Sequence, residues 1–139
     1  MNLRSTRRAC APHDRRGVAA SELAVCLPVI VLLVLAMIEA CTMIFLKQSL
    51  TVAAYEGVRT SLAQNANVGE VQAACQGVLR DRRVQGARVT VRPANVASLA
   101  AGEYVEVTVS APTDSNSVIP GSFLRGRTLS ATATMMKEF

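Results

Sequence analysis

Residues 15–46 read Arg15-Arg16-Gly17-Val18-Ala19-Ala20-Ser21-Glu22 and then, without a break, LAVCLPVIVLLVLAMIEACTMIFL. Glu39 is the only charged side chain in that second run, residues 23–46. As a helix the run is roughly 36 Å long at about 1.5 Å per residue, enough to cross a bilayer core of about 30 Å. It therefore predicts a membrane span. A core helix of a soluble domain would need cover on every side, and the chain of 139 residues has too little remaining mass to supply it.

The rest follows from where the other residues lie. Half of the chain is hydrophobic, but the apolar weight sits in this one run, which leaves one small domain beyond it. The formal charge of +5 suggests a nucleic-acid binder only until it is mapped. Arg4, Arg7, Arg8, Arg15 and Arg16 stand against Asp14 in the first 17 residues, so the leader carries most of it. No basic stripe interleaved with aromatics follows, and nucleic acid is not an expected partner. Arginines at one end of the span, against Lys47 at the other, place the N-terminus in the cytoplasm and the C-terminal part outside. Of four cysteines, Cys10 is in the leader and Cys26 and Cys41 are in the span. Cys75 stands alone beyond it, either as a buried small hydrophobe or as a cross-link between subunits, and no disulfide can form within the outer domain.

The basic residues 1–17 read as a targeting segment. A secretory signal has a shorter apolar stretch with small residues after it, and Glu39 before Cys41 argues against a lipid-modification site. A cut before the apolar run fits better. Gly17 follows the arginines and Glu22 is the fifth residue after it, a pattern that resembles the type IV prepilin leader. That resemblance implies cleavage between Gly17 and Val18 by a membrane prepilin peptidase. It also implies that Glu22 pairs with the new amino terminus, Val18, of a neighbouring subunit. A carboxylate entering a membrane is costly unless paired. The alternative role for Glu22 is to complement a helix N-terminus. Pro28 removes one helix hydrogen bond and predicts a kink. Glu39, late in the span, either snorkels to the interface or meets a specific intramembrane partner.

Taken together, Arg16-Gly17, Glu22, Leu27-Pro28, Ile38-Glu39 and Ala54-Tyr55-Glu56-Gly57-Val58-Arg59 resemble the N-terminal module of the TadE-like family. Those proteins are minor pseudopilins of tight-adherence (Flp-type) pilus systems, and the ending Ala131-Thr132-Ala133-Thr134-Met135 with Glu138 is similar to theirs. Leu23 and Ala40 depart from the family's pattern, in which aromatics often occupy these places. The resemblance implies a non-catalytic single-pass subunit of the inner membrane. Its implied partners are the prepilin peptidase, other pilins and pseudopilins, inner-membrane assembly proteins and the lipid bilayer, with a place in a surface pilus open to it.

Beyond the span the helix continues to about residue 63, because Leu46, Leu50, Ala54, Val58 and Leu62 recur every fourth residue as an apolar stripe. Gly57 inside it signals close packing or a bend, and Glu56 and Arg59 are spaced to pair. Residues 64–69 end the helix, and a second one follows over 68–80 with a capping-box start at Asn67 and Glu70. Its face is Val71, Ala74, Cys75, Val78 and Leu79. The last third alternates with period two. Ala87, Val89 and Val91; Val105, Val107 and Val109; and Leu129, Ala131, Ala133 and Met135 mark the inward faces of three antiparallel strands. Arg88 and Arg92 face outward and are placed to pair with Glu106. The fold class is α+β: a long N-terminal transmembrane helix running into a small pilin-like domain over residues 64–139. The loop 111–127 is long for such a domain, and Ile119, Phe123 and Leu124 suit either a subunit contact or a satellite core.

Nothing marks an enzyme. His13 is the only histidine, and no metal-ligand spacing, nucleophile elbow or phosphate loop occurs, so neither cofactor nor small-molecule substrate is expected. Besides a pseudopilin, the chain fits a single-pass anchor that keeps its leader and binds a partner through its outer domain.

Overall fold

The computed structural model describes residues 15–63, 66–118 and 125–138. Most of the basic leader (1–14), residues 64–65, the loop segment 119–124 with Ile119, Phe123 and Leu124, and residue 139 lie outside that description. The elements are α1 (Arg15–Ser61), α2 (Val68–Asp81), β1 (Arg88–Arg92), β2 (Tyr104–Pro112) and β3 (Thr128–Met136). Two compact units result, Met1–Leu35 and Ala36–Phe139.

In the first unit, residues 17–35 are helical and exposed on every side. The second unit begins with three more exposed helical residues and then changes character. From Glu39 onward one face of α1 is buried: Glu39, Met43, Leu46, Leu50, Ala53, Ala54, Gly57, Val58 and Ser61. The spacing alternates four and three, as a stripe on a 3.6-residue helix must. A strict row of every fourth residue drifts round the axis. Leu62, the last of the expected row, is accordingly half-buried at the turn that ends the helix, while Leu46, Leu50, Ala54 and Val58 are in the core.

The middle of this stripe is made of small residues, and the reason is proximity. A Cβ built on Gly57 would overlap Cys75 Sγ of α2 and lie 3.1 Å from Val107 Cγ1 of β2. Close packing, and not a bend, therefore explains this glycine. Ser49 and Ser61 are also fully buried, and each hydroxyl donates to a carbonyl of its own helix, Phe45 at 2.8 Å and Val58 at 2.6 Å. That internal bond lets a polar side chain face an apolar neighbour.

The start of α2 is held by the expected capping box. Asn67 Oδ1 accepts from the Glu70 amide at 2.9 Å, and the Glu70 carboxylate accepts from the Asn67 amide at 3.4 Å. Val71, Cys75 and Leu79 face inward. The sheet order is β1-β2-β3, antiparallel throughout, with Val91 opposite Val107 and Val107 opposite Ala133. Burial alternates along β2, where Val105, Val107, Val109 and Ala111 are all inside. The inward sets of β1 and β3 are those read from the period of two, with Val91 and Ala131 most enclosed. Val96, in the β1–β2 connection, is also buried, with Leu99 packed beside it. No periodicity marks that loop.

On the solvent face Arg92 lies opposite Glu106 and Arg88 opposite Ser110, but among the described residues no ion pair joins them. Glu106 instead accepts from the Thr108 hydroxyl at 3.3 Å. A solvated cross-strand pair gains about 0–1 kcal/mol, too little to hold two long side chains together. The Glu56–Arg59 pair on α1 does form, at 3.6 Å.

Gly57→Ala tests the close approach. Helix propensity alone would favour alanine by about 1 kcal/mol. The overlap with Cys75 and Val107 opposes it with a cost of about 1–3 kcal/mol. The variant should melt below the wild type in detergent, and Cys75→Ala in the same chain should restore most of the loss.

Candidate functional site

The groups singled out from the sequence lie along α1, and the fold treats them differently. Gly17, Val18 and Glu22 are exposed in the first unit. Glu22 stands about two turns in from Arg15, beyond the reach of the terminal dipole in the chain with its leader attached. Among the described residues it has no hydrogen-bond or ionic partner. Ser21 beside it is satisfied locally, its hydroxyl donating to the Val18 carbonyl at 2.8 Å. The helix assignment runs unbroken through Pro28, whose missing N–H leaves the Ala24 carbonyl without its usual helical donor.

Glu39 is enclosed. Only 6 % of its surface is accessible, and both carboxylate oxygens accept from the Ser117 hydroxyl, at 3.1 and 3.0 Å. The carboxylate thus finds a partner 78 positions away in its own chain. Ser117 is held there by the residue before it. The Asn116 amide group donates to the carbonyls of Gln85 at 2.9 Å and Pro112 at 2.8 Å, and its oxygen accepts from the Gln85 amide at 2.8 Å. One side chain therefore ties the α2–β1 turn to the end of β2. Thr113 continues the clasp: its amide and hydroxyl both donate to the Arg127 carbonyl, at 2.9 and 3.0 Å. Lys47, one helical face away, donates to the Ser130 carbonyl and fastens α1 to β3.

Sequence reasoning identified Glu39 as costly but did not find Ser117. The stretch Asp114-Ser115-Asn116-Ser117 has turn-forming composition, which was visible, but a composition carries no information about which distant helix it covers.

Cys75 is fully buried, with its thiol donating to the Ala53 carbonyl at 3.3 Å. Burial pushes its pKa up from 9.0 to about 11, the charge of Glu56 adds to the rise, and a backbone hydrogen bond offsets part of it. A thiol in this state is a packing group, not a cross-linker or nucleophile.

Residues 17–59 match the family of TadE-like proteins. The match opens on Gly17 and closes on Arg59, so it takes in Glu22, Pro28, Glu39 and Gly57 but neither α2 nor the sheet. Most of the motifs that carry the resemblance fall in this segment, while Arg16 and the ending Ala131-Thr132-Ala133-Thr134-Met135 with Glu138 lie outside it. No curated protein and no solved structure matches the chain.

Two outcomes are expected. Ser117→Ala leaves a buried carboxylate without its donor and should lower domain stability by about 1.5–3 kcal/mol in chemical unfolding, whereas Ser115→Ala, at an exposed position, should change it by less than about 0.5 kcal/mol. The second concerns pH. The unfolded thiol of Cys75 loses its proton near pH 9.0 and the folded one near 11, so the protonated folded form is at full advantage below 9.0 and loses it as pH climbs to 11. Stability should fall through that window by at most about 1.4 kcal/mol per pH unit, and Cys75→Ala should flatten the fall.

Proposed function

We propose that this protein is a non-catalytic, single-pass subunit of a tight-adherence (Flp-type) pilus assembly system, a TadE-like minor pseudopilin trimmed between Gly17 and Val18. The observation that carries the reading is the contrast within α1. Residues 17–38 are helical and exposed all round, and burial begins at Glu39. By length and composition this helix can cross a membrane. The 22 uncovered residues span roughly 33 Å and on this reading lie in the bilayer. This moves the span of 23–46 expected from the sequence toward the N-terminus, because one face of the helix is covered from Glu39 onward. The arginines before them stay in the cytoplasm and the α+β domain lies on the other side.

The family match supports the same assignment, since it begins on the glycine at the proposed cut. Glycine weakens the helix there by about 1 kcal/mol, which eases the local unwinding a peptidase requires. Trimming creates a positively charged terminus at Val18, one turn from Glu22. With no partner for Glu22 among the described residues of its own chain, the carboxylate is free to meet the Val18 amine of an adjacent subunit in the bilayer, where an unpaired charge is expensive. Glu39, by contrast, is already satisfied by Ser117 and serves the subunit's own fold.

The decisive measurement is the intact mass of the membrane-extracted protein from cells that contain a prepilin peptidase. The expected mass lacks residues 1–17. Gly17→Ala should retain them while still inserting, and retention by the wild type would favour a plain anchor with its leader in place. Glu22→Ala should be trimmed and inserted normally but should reduce pilus assembly about tenfold or more in cells without the native copy.

A further inference from the structure

Five arginines of the outer domain are scattered in sequence but gathered by the fold. Arg82 and Arg83 occupy the turn after α2, Arg88 opens β1, and Arg125 and Arg127 precede β3. Register places Arg88 opposite Ser110 and Thr128 opposite Pro112, so all of them flank the same end of the sheet. The Asn116 bonds to Gln85 and the Thr113 bonds to Arg127 close that end into one surface. It is the end at which α1 enters the domain, since a cleft of about 180 Å³ there is lined by Thr42, Phe45, Arg82, Arg83, Ser115 and Asn116, among others. Ile44, Phe45 and Val118 add exposed apolar side chains.

Positive charge is in excess at this end of the domain. The opposite end is mixed, with Arg92 and Lys137 among Glu70, Glu103, Glu106 and Glu138, whereas the end with the five arginines offers Asp81 and Asp114, and Asp114 is engaged by the Gly126 amide at 2.9 Å. Among the described residues neither Arg82 nor Arg83 has an ion pair or a side-chain hydrogen bond. Unpaired guanidinium groups, hydroxyls and an apolar floor form a surface suited to a phosphate attached to acyl chains.

We propose that this basic end of the domain binds the anionic phospholipid headgroups of the outer leaflet, with Arg82 and Arg83 as the principal phosphate contacts. The inference rests on the reading that residues 17–38 lie in the bilayer, which brings the cleft at Thr42 and Phe45 to headgroup level. It explains a charge distribution that the topology rule does not. Positive residues bias orientation only within about 15–20 residues of a span, and these arginines lie far beyond that in sequence. They are free to be recruited after translocation.

The test uses the full chain in lipid nanodiscs of phosphatidylcholine alone or with phosphatidylglycerol, read by amide hydrogen exchange. Phosphatidylglycerol should slow exchange in the 82–86 and 113–117 turns about tenfold. Raising salt well above physiological strength should reverse much of the effect. Arg82→Glu with Arg83→Glu should abolish it, and Arg92→Glu, at the far end of β1, should leave it intact. Equal exchange in the two lipids overturns the inference, as does an equal loss in Arg92→Glu. Protection that instead grows with the number of chains per disc in phosphatidylcholine would assign the surface to a second copy and also overturn it. Exchange at residues 18–38 separates the two readings: strong protection there in both discs keeps the membrane assignment whatever the turns do, and its absence removes that assignment first.

Discussion

The domain is spaced by the contact at Gly57. Where α1 passes over Cys75 of α2 and Val107 of β2, no room exists for a single methyl group, so the three elements approach to a separation that only glycine permits. Packing spreads from this point in both directions along α1, through Ala53, Ala54 and Leu50 on one side and Val58 and Ser61 on the other. Small residues at the crossing bring the backbone close, and larger ones at the flanks fill the widening gap. Cys75 belongs to the same contact. Its thiol donates back to Ala53 and its raised pKa keeps it neutral, so the one cysteine beyond α1 serves packing.

A second constraint is set by the change of surroundings along one helix. From Gly17 to Ile38 the side chains of α1 are exposed, and from Glu39 the helix is covered on one side. A carboxylate at that boundary is the group least suited to either apolar setting unless a donor is supplied. The fold supplies one from the β2–β3 connection, and it takes Asn116 to hold that connection in place. Glu22 and Glu39, alike in chemistry, are thereby divided in role. Glu39 is satisfied within its own chain, and on the proposed reading Glu22 is left to the assembly.

The proposed membrane and assembly roles place different demands on the two ends of the domain. Its end near Thr42 carries five arginines and exposed apolar groups, while its far end mixes carboxylates with Arg92 and Lys137. On the proposed reading, charge at one end favours one orientation of the domain at an anionic surface. The exposed sheet face, with Thr108 bonded to Thr132 at 2.9 Å and no ion pair among the described residues, contributes little to that preference.

The elements and their inward faces were legible from residues alone, because each is a short-range property. A continuous apolar run, an Asn67–Glu70 cap and a strict alternation in β2 and β3 declare themselves within a few positions. So did the abnormality of Gly57 and of a carboxylate at Glu39. What answered those two abnormalities lies 18 and 78 positions away, in Cys75 and Ser117. Val96 in an aperiodic loop and the gathering of Arg82, Arg83, Arg88, Arg125 and Arg127 on one end likewise have no local signature. Sequence determined which groups needed partners, since burial cost and backbone freedom belong to the residue. Only the tertiary structure decided who those partners are, because pairing depends on where distant segments meet.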